Sequence, residues 1–161
     1  MSIPKFFVAR WEAEQAAFGK VLRALPSDKL DYQPHERSTR AGDLAWQLAI
    51  EQRGMSDLID RGETVWDNPQ RPATLDEIVA AWDSATNDLR TSLAALDETK
   101  CEGECKFIMG GAPVWTDSLG NMLWGFLFDM VHHRGQLSTY IRPMGGKVPS
   151  IYGPSADDSG T

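Results

Sequence analysis

The sequence predicts an all-α domain: a four-helix bundle in up-down-down-up order, with a short hairpin between the third and fourth helices. Three observations carry this. Four long segments repeat apolar residues at helical spacing. No segment alternates apolar and polar residues for more than a few positions. The links between the segments are unequal, and their lengths set the direction in which each helix runs.

The first segment runs from about Lys5 to Leu25, with Phe7, Trp11, Phe18, Leu22 and Leu25 on one stripe, and Pro26 stops it. The second runs from about Ala41 to Arg61 on Leu44, Leu48, Met55 and Leu58, and Gly62 ends it. The third opens on the capping box Thr74-Leu-Asp-Glu77, where hydroxyl and carboxylate satisfy orphan amides. Its stripe is Leu75, Ile78, Trp82, Ala85, Leu89, Leu93 and Leu96. The fourth begins near Thr116 or Asp117 and runs to about Arg142, on Leu119, Met122, Phe126, Met130, Leu137 and Ile141. Pro143 and Gly145-Gly146 stop it.

The link Gly62-Glu-Thr-Val-Trp-Asp-Asn-Pro-Gln-Arg-Pro-Ala73 is long enough to run back along the bundle, as parallel second and third helices require. Residues 103 to 116 hold two short apolar runs around Gly110-Gly111, which suit a small hairpin or lid. Residues 1–148 form the bundle, and 149–161 a polar tail that the composition predicts to be loose.

Length and composition bound the function. At 161 residues the chain fits one domain, and 42% hydrophobic residues suffice for one core. The net charge of −7 argues against non-specific binding of nucleic acid or an anionic membrane, since both need a basic face. No apolar run is long enough to span a bilayer, and the N-terminus turns charged too early for a signal peptide. Cys101 and Cys105 are too few for a disulfide scaffold, so a cytoplasmic protein with two reduced loop thiols is expected. There is no phosphate-binding loop, dinucleotide fingerprint or nucleophile elbow.

Polar residues interrupt the stripes. Gln47 and Glu51 lie four apart on the second helix, Asp129 and His133 four apart on the fourth, and Glu14 lies between Trp11 and Phe18 on the first. A buried carboxylate is costly unless it is paired or binds a metal. One reading is a hydrogen-bonded pair inside one helix; the other is a site built in the bundle core from facing helices. Spacing alone leaves both open. His132 points about 100° away from His133 and is read as a neighbouring or surface group.

Two segments carry a resemblance. Asp129-Met-Val-His-His-Arg-Gly-Gln-Leu-Ser-Thr-Tyr-Ile-Arg142, followed by Pro149 and Ile151-Tyr-Gly153, resembles the last-helix signature of the DinB family. Arg37-Ser-Thr-Arg-Ala-Gly-Asp-Leu-Ala-Trp-Gln-Leu-Ala-Ile-Glu51 resembles its second helix. The resemblance implies an up-down-down-up four-helix bundle with a divalent ion bound by three His at one level; His and carboxylates together suit Zn, Ni, Mn or Fe. By position, His133 matches the last His of that set, Asp129 stands where the earlier His of the pair usually is, and Gln47 where the second-helix His is expected. Glu51, one turn on, is a substitute ligand or a catalytic base.

The function implied is a metal-dependent enzyme acting on a small molecule, of the kind that transfers a low-molecular-weight thiol to an electrophile. The alternatives are a metal-free bundle that binds a small ligand and a stress-related structural bundle, neither with catalysis. Relatives often dimerise, and Trp46, Trp66 and Trp124 near the stripe edges suit the interface of a homodimer.

Overall fold

The computed structural model describes residues 2–160. Helices α1 (Ile3–Arg23), α2 (Ala41–Arg61), α3 (Leu75–Leu93) and α5 (Leu119–Ile141) are the long ones, and α4 (Glu98–Glu102) is a single turn. Strands β1 (Glu63–Trp66), β2 (Glu104–Met109) and β3 (Ala112–Ser118) lie between them. The chain is therefore mostly helical, but it is not all-α: a three-stranded mixed sheet corrects that expectation.

Each boundary has a local cause. Gly62 caps α2 at φ 74°, and its N–H donates to the Leu58 carbonyl. Thr74 and Glu77 make the reciprocal capping box at the start of α3. The Ser118 hydroxyl accepts the Asn121 N–H and opens α5. The apolar stripes face one shared core, in which Trp11, Phe18, Leu48, Met55, Ile78, Leu89, Met122 and Met130 are fully buried.

Contacts between helices fix their directions. Phe7 meets Trp124 and Glu14 meets Arg134, so α1 and α5 run the same way. Glu12 pairs with Arg90 and Arg23 with Asp83, so α3 opposes α1. Gln52 bonds Thr86 and Asp60 accepts from Ser92, so α2 and α3 are parallel.

The crossover between α2 and α3 holds β1, which the sequence did not reveal. It pairs in parallel with β2, Thr64 opposite Phe107 and Trp66 opposite Met109. Strands β2 and β3 form the hairpin, with Phe107 opposite Trp115 and an irregularity between Phe107 and Ile108. Gly110 and Gly111 turn it at φ 60° and 82°, the left-handed conformations a two-residue hairpin turn needs. The four residues of β1 are too few to show an alternation. They become a strand only because β2 offers them an edge.

A polar knot sits inside the core. The Trp11 indole donates to Gln52 Oε1 at 3.0 Å, and Gln52 Nε2 donates to Gln15 and Thr86 at 2.8 and 3.2 Å. Gln52 is completely buried, so removing its amide strands the indole donor. Gln52→Leu is expected to cost about 1–3 kcal/mol of unfolding free energy, readable as a lower midpoint in urea.

The tail is held rather than loose. The Tyr152 hydroxyl bonds Glu14 and Arg134, Lys20 reaches Ser150, and Asp157 accepts from Arg142 and from the Val148 amide. Composition missed this because the anchoring partners lie on α1 and α5, far away in sequence.

Candidate metal centre and its cleft

Helix α2 presents Gln47 and Glu51, and α5 presents Asp129 and His133, at one level of the core edge. Ligand atoms of Glu51, Asp129 and His133 all lie within 4.8 Å of one another. His133 Nδ1 is 3.3 Å from Glu51 Oε1 and 3.6 Å from Asp129 Oδ2. The structure thus brings the four residues singled out in the sequence to one level. Glu14 is not among them, since it binds Arg134 and Tyr152 instead. His132 is exposed, its ring 5.4 Å from that of His133.

Gln47 Nε2 donates to Glu51 Oε1 at 2.9 Å. The same nitrogen is 3.2 Å from His133 Nδ1 and 3.4 Å from Nε2. An in-plane atom at nearly equal distance from both ring nitrogens would collide with Cε1. The amide therefore lies over the ring face, out of line with either lone pair. Gln47 orients Glu51 and covers His133.

Glu51 is the anomaly of the site. Its carboxylate is almost fully buried, and Oε2 has no hydrogen-bond partner. Burial pushes its pKa up from 4.5 to about 7, against the opposing pull of its bonds to His133 and Gln47. For His133, burial disfavours the charge, but the Glu51 hydrogen bond and the Glu51 and Asp129 charges outweigh it, so its pKa is raised. Asp129 lies at the mouth of the site, its side chain 55% exposed.

Two carboxylates and one imidazole are a hard, mixed donor set suited to a divalent first-row ion. The orphaned Oε2 supplies the independent sign of fit, because a buried anionic oxygen without a partner is costly and a cation would satisfy it. The residues present thus fit a divalent ion.

The sheet roofs the site. Trp66 of β1, Phe107 and Met109 of β2, and Trp115 of β3 form a cleft of about 670 Å³ with Gln47, Glu51, Phe126 and Asp129. Trp66 lies 6.3 Å from Phe107, and Phe107 meets Phe126 edge-on at 5.7 Å, between ring centres. Trp115 rests on Gly125: a Cβ there would stand 2.4 Å from Trp115 Cη2, so any larger residue would push the ring from this position. These wall residues were missed as site residues. The Phe-Ile-Met and Val-Trp runs beside the Gly-Gly turn hinted at them, but their direction depends on the sheet.

The cysteines stand apart. Cys105 is buried with its thiol against Met122 sulfur, and burial pushes its pKa up to about 11. Cys101, expected in a loop, lies on α4, and partial burial and nearby acids raise its pKa as well. Neither is poised as a thiolate at neutral pH.

Fold and site together define a mostly helical domain with a carboxylate–imidazole cluster, and the comparisons agree with the fold. The DinB family model matches residues 1–160, and the chain belongs to that family. It is 25% identical over 158 residues to the uncharacterized protein YrdA of Bacillus subtilis, covering 94% of this chain and 89% of that one. A DinB-like protein of Bacillus cereus superposes with a TM-score of 0.75 at 18% identity, over 91% of this chain and 95% of the other. The DinB-like protein YjoA of Bacillus subtilis gives 0.69 at 18%, over 86% and 91%. Among the described residues, no helix is long and apolar enough to cross a membrane.

Proposed function

We propose that this protein is a metal-dependent enzyme acting on a small molecule, with Glu51, Asp129 and His133 holding one divalent ion. The observation that carries the reading is the partnerless, buried Glu51 Oε2 beside an imidazole and a second carboxylate. Glu51 takes the ligand place that position assigned to Gln47, and Gln47 holds Glu51 in orientation through its amide. Such an ion supplies Lewis acidity and lowers the pKa of a bound thiol or water. The finer reading is transfer of a low-molecular-weight thiol to an electrophile. The raised pKa values of both cysteines support an external thiol over a protein one.

Calorimetric titration with Zn, Ni, Mn and Fe(II) tests the reading. The parent is expected to bind one ion per chain, His133→Ala to bind none, and His132→Ala to bind as the parent does. Failure of every metal to bind the parent stoichiometrically overturns it. That outcome favours the metal-free ligand-binding bundle, which the direct His133–Glu51 contact supports.

We also propose that the protein is a homodimer. Trp124 packs among Phe6, Phe7 and Phe128, and Ile3, Phe6 and Phe128 remain 67%, 49% and 64% exposed. Clustered exposed apolar side chains of this kind suit an interface. Trp46 and Trp66 are otherwise engaged, the first donating to the Pro69 carbonyl and the second lining the cleft. Light scattering is expected to give twice the chain mass, and Phe128→Glu to return it to one.

A further inference from the structure

The cleft under the sheet has aromatic walls and no charge left over for a ligand. Trp66, Phe107, Trp115 and Phe126 reach it from three strands and a helix. Trp66 and Phe107 are tilted by 54°, and Phe107 and Phe126 by 79°, so neither pair stacks face to face. A flat ring can enter among them in the offset or edge-on arrangements that aromatic pairs prefer. Met109, also in the wall, is 45% exposed, an adaptable apolar side chain that a bound ring would cover. The volume of about 670 Å³ lies within the range of small-molecule sites, roughly 300–1,000 Å³.

The ionisable residues of the wall are Glu51 and Asp129, and His133 adjoins both. With a divalent ion bound, its two positive charges answer the two carboxylates and a neutral His133 adds none, so the centre as a whole is uncharged. Without the ion, His133 Nδ1 stands 3.3 Å from Glu51 Oε1 and answers that carboxyl directly, while the Asp129 side chain, 55% exposed, keeps its water. No Lys or Arg lines the cleft. A charged ligand of either sign would give up its own hydration among the rings. The charges it met would already be answered by the ion, by His133 or by water. An uncharged ring system gives up little hydration and gains the buried apolar area.

We propose that this cleft binds an uncharged, flat aromatic compound, its rings held among Trp66, Phe107 and Trp115. The inference rests on reading this site as the substrate site, names the class of substrate it takes, and draws on no charge that the ion uses. Trp115 is the specificity-determining wall, seated where Gly125 leaves room for its ring.

Four probes separate the contributions: naphthalen-2-ylmethanol, its saturated counterpart decahydronaphthalen-2-ylmethanol, naphthalen-2-ylmethylammonium and naphthalene-2-sulfonate. Affinities are measured by calorimetry on zinc-loaded protein and again after chelation. In both, the naphthyl alcohol is expected to bind about fivefold or more tighter than the saturated alcohol, since ring–ring contact adds to area burial. It is expected to bind about tenfold or more tighter than either charged probe. Trp115→Ala, and Trp66→Ala on another strand, should each weaken the naphthyl alcohol about tenfold and the saturated alcohol less, with zinc uptake and helix content unchanged. The proposal is overturned if the saturated probe or either charged probe binds as tightly as the naphthyl alcohol, if none of the four binds, or if both variants bind as the parent does. Zinc uptake is read separately, so a protein that takes up no zinc and keeps this order of affinities defeats the metal reading alone.

Discussion

Arg134→Met is expected to lower the unfolding free energy by about 3–5 kcal/mol, the cost of breaking a buried pair and leaving one charge uncompensated. Arg134 is almost fully buried on α5, and Nη1 lies 2.6 Å from Glu14 on α1. Its guanidinium stands over the Phe18 ring at 4.7 Å and the Tyr152 ring at 5.0 Å. Removing it strands Glu14, whose side chain is only 14% exposed, and takes away a hydrogen-bond partner of Tyr152. The double variant Glu14→Leu/Arg134→Met should recover most of the loss, because it removes both charges. Urea denaturation checks the energies, and limited proteolysis checks whether residues after 149 become accessible in the single variant. A single variant as stable as the parent would show that the pair contributes nothing net.

The second large effect is a fall of about 3 kcal/mol in the stability of metal-free protein as pH rises from about 5 to 8. The Glu51 carboxyl has a pKa of about 7 when folded, against 4.5 ordinarily, chiefly because burial disfavours its charge. Between those values the folded state holds a proton that the unfolded chain has released. Stability is full below about 4.5 and is lost as pH rises through 7. His133 is also raised above its ordinary 6.5, so it adds loss in the same direction at the upper end of the window. Asp129, the third charge facing the site, helps to raise both groups. The lowered carboxyls of Glu77, Asp117, Asp157 and Asp158 act elsewhere, losing their contribution as pH falls below about 4.5.

A divalent ion competes with these protons, so its affinity should climb across the same interval. Glu51→Gln should flatten most of the pH dependence. The check is urea unfolding at pH 5 and pH 8 in the presence of chelator. A parent protein whose stability holds or rises over that range would contradict the buried, partnerless state of Glu51.

The sequence by itself determined the four long helices, their stripes and most of their ends. Leu75, Ile78, Trp82, Ala85, Leu89 and Leu93 had to share a face, and the Thr74–Glu77 box and Gly62 had to begin and end helices wherever the rest of the chain went. It also put Gln47 with Glu51 and Asp129 with His133, because residues four apart on a helix face the same way. Those signals are local, which is why one chain suffices to read them. Tertiary structure alone decided what came from meetings between distant segments. Four residues of the crossover became β1 only when β2 lay beside them, and that pairing turned Trp66, Phe107 and Trp115 into the walls of one cleft. Arg134 lies on the buried stripe between Met130 and Leu137, but only Glu14, Phe18 and Tyr152, arriving from α1 and the tail, make its burial affordable. The same holds for Glu51: helical spacing places it, but its desolvation and its orphaned oxygen exist only because α5 and the sheet close over it.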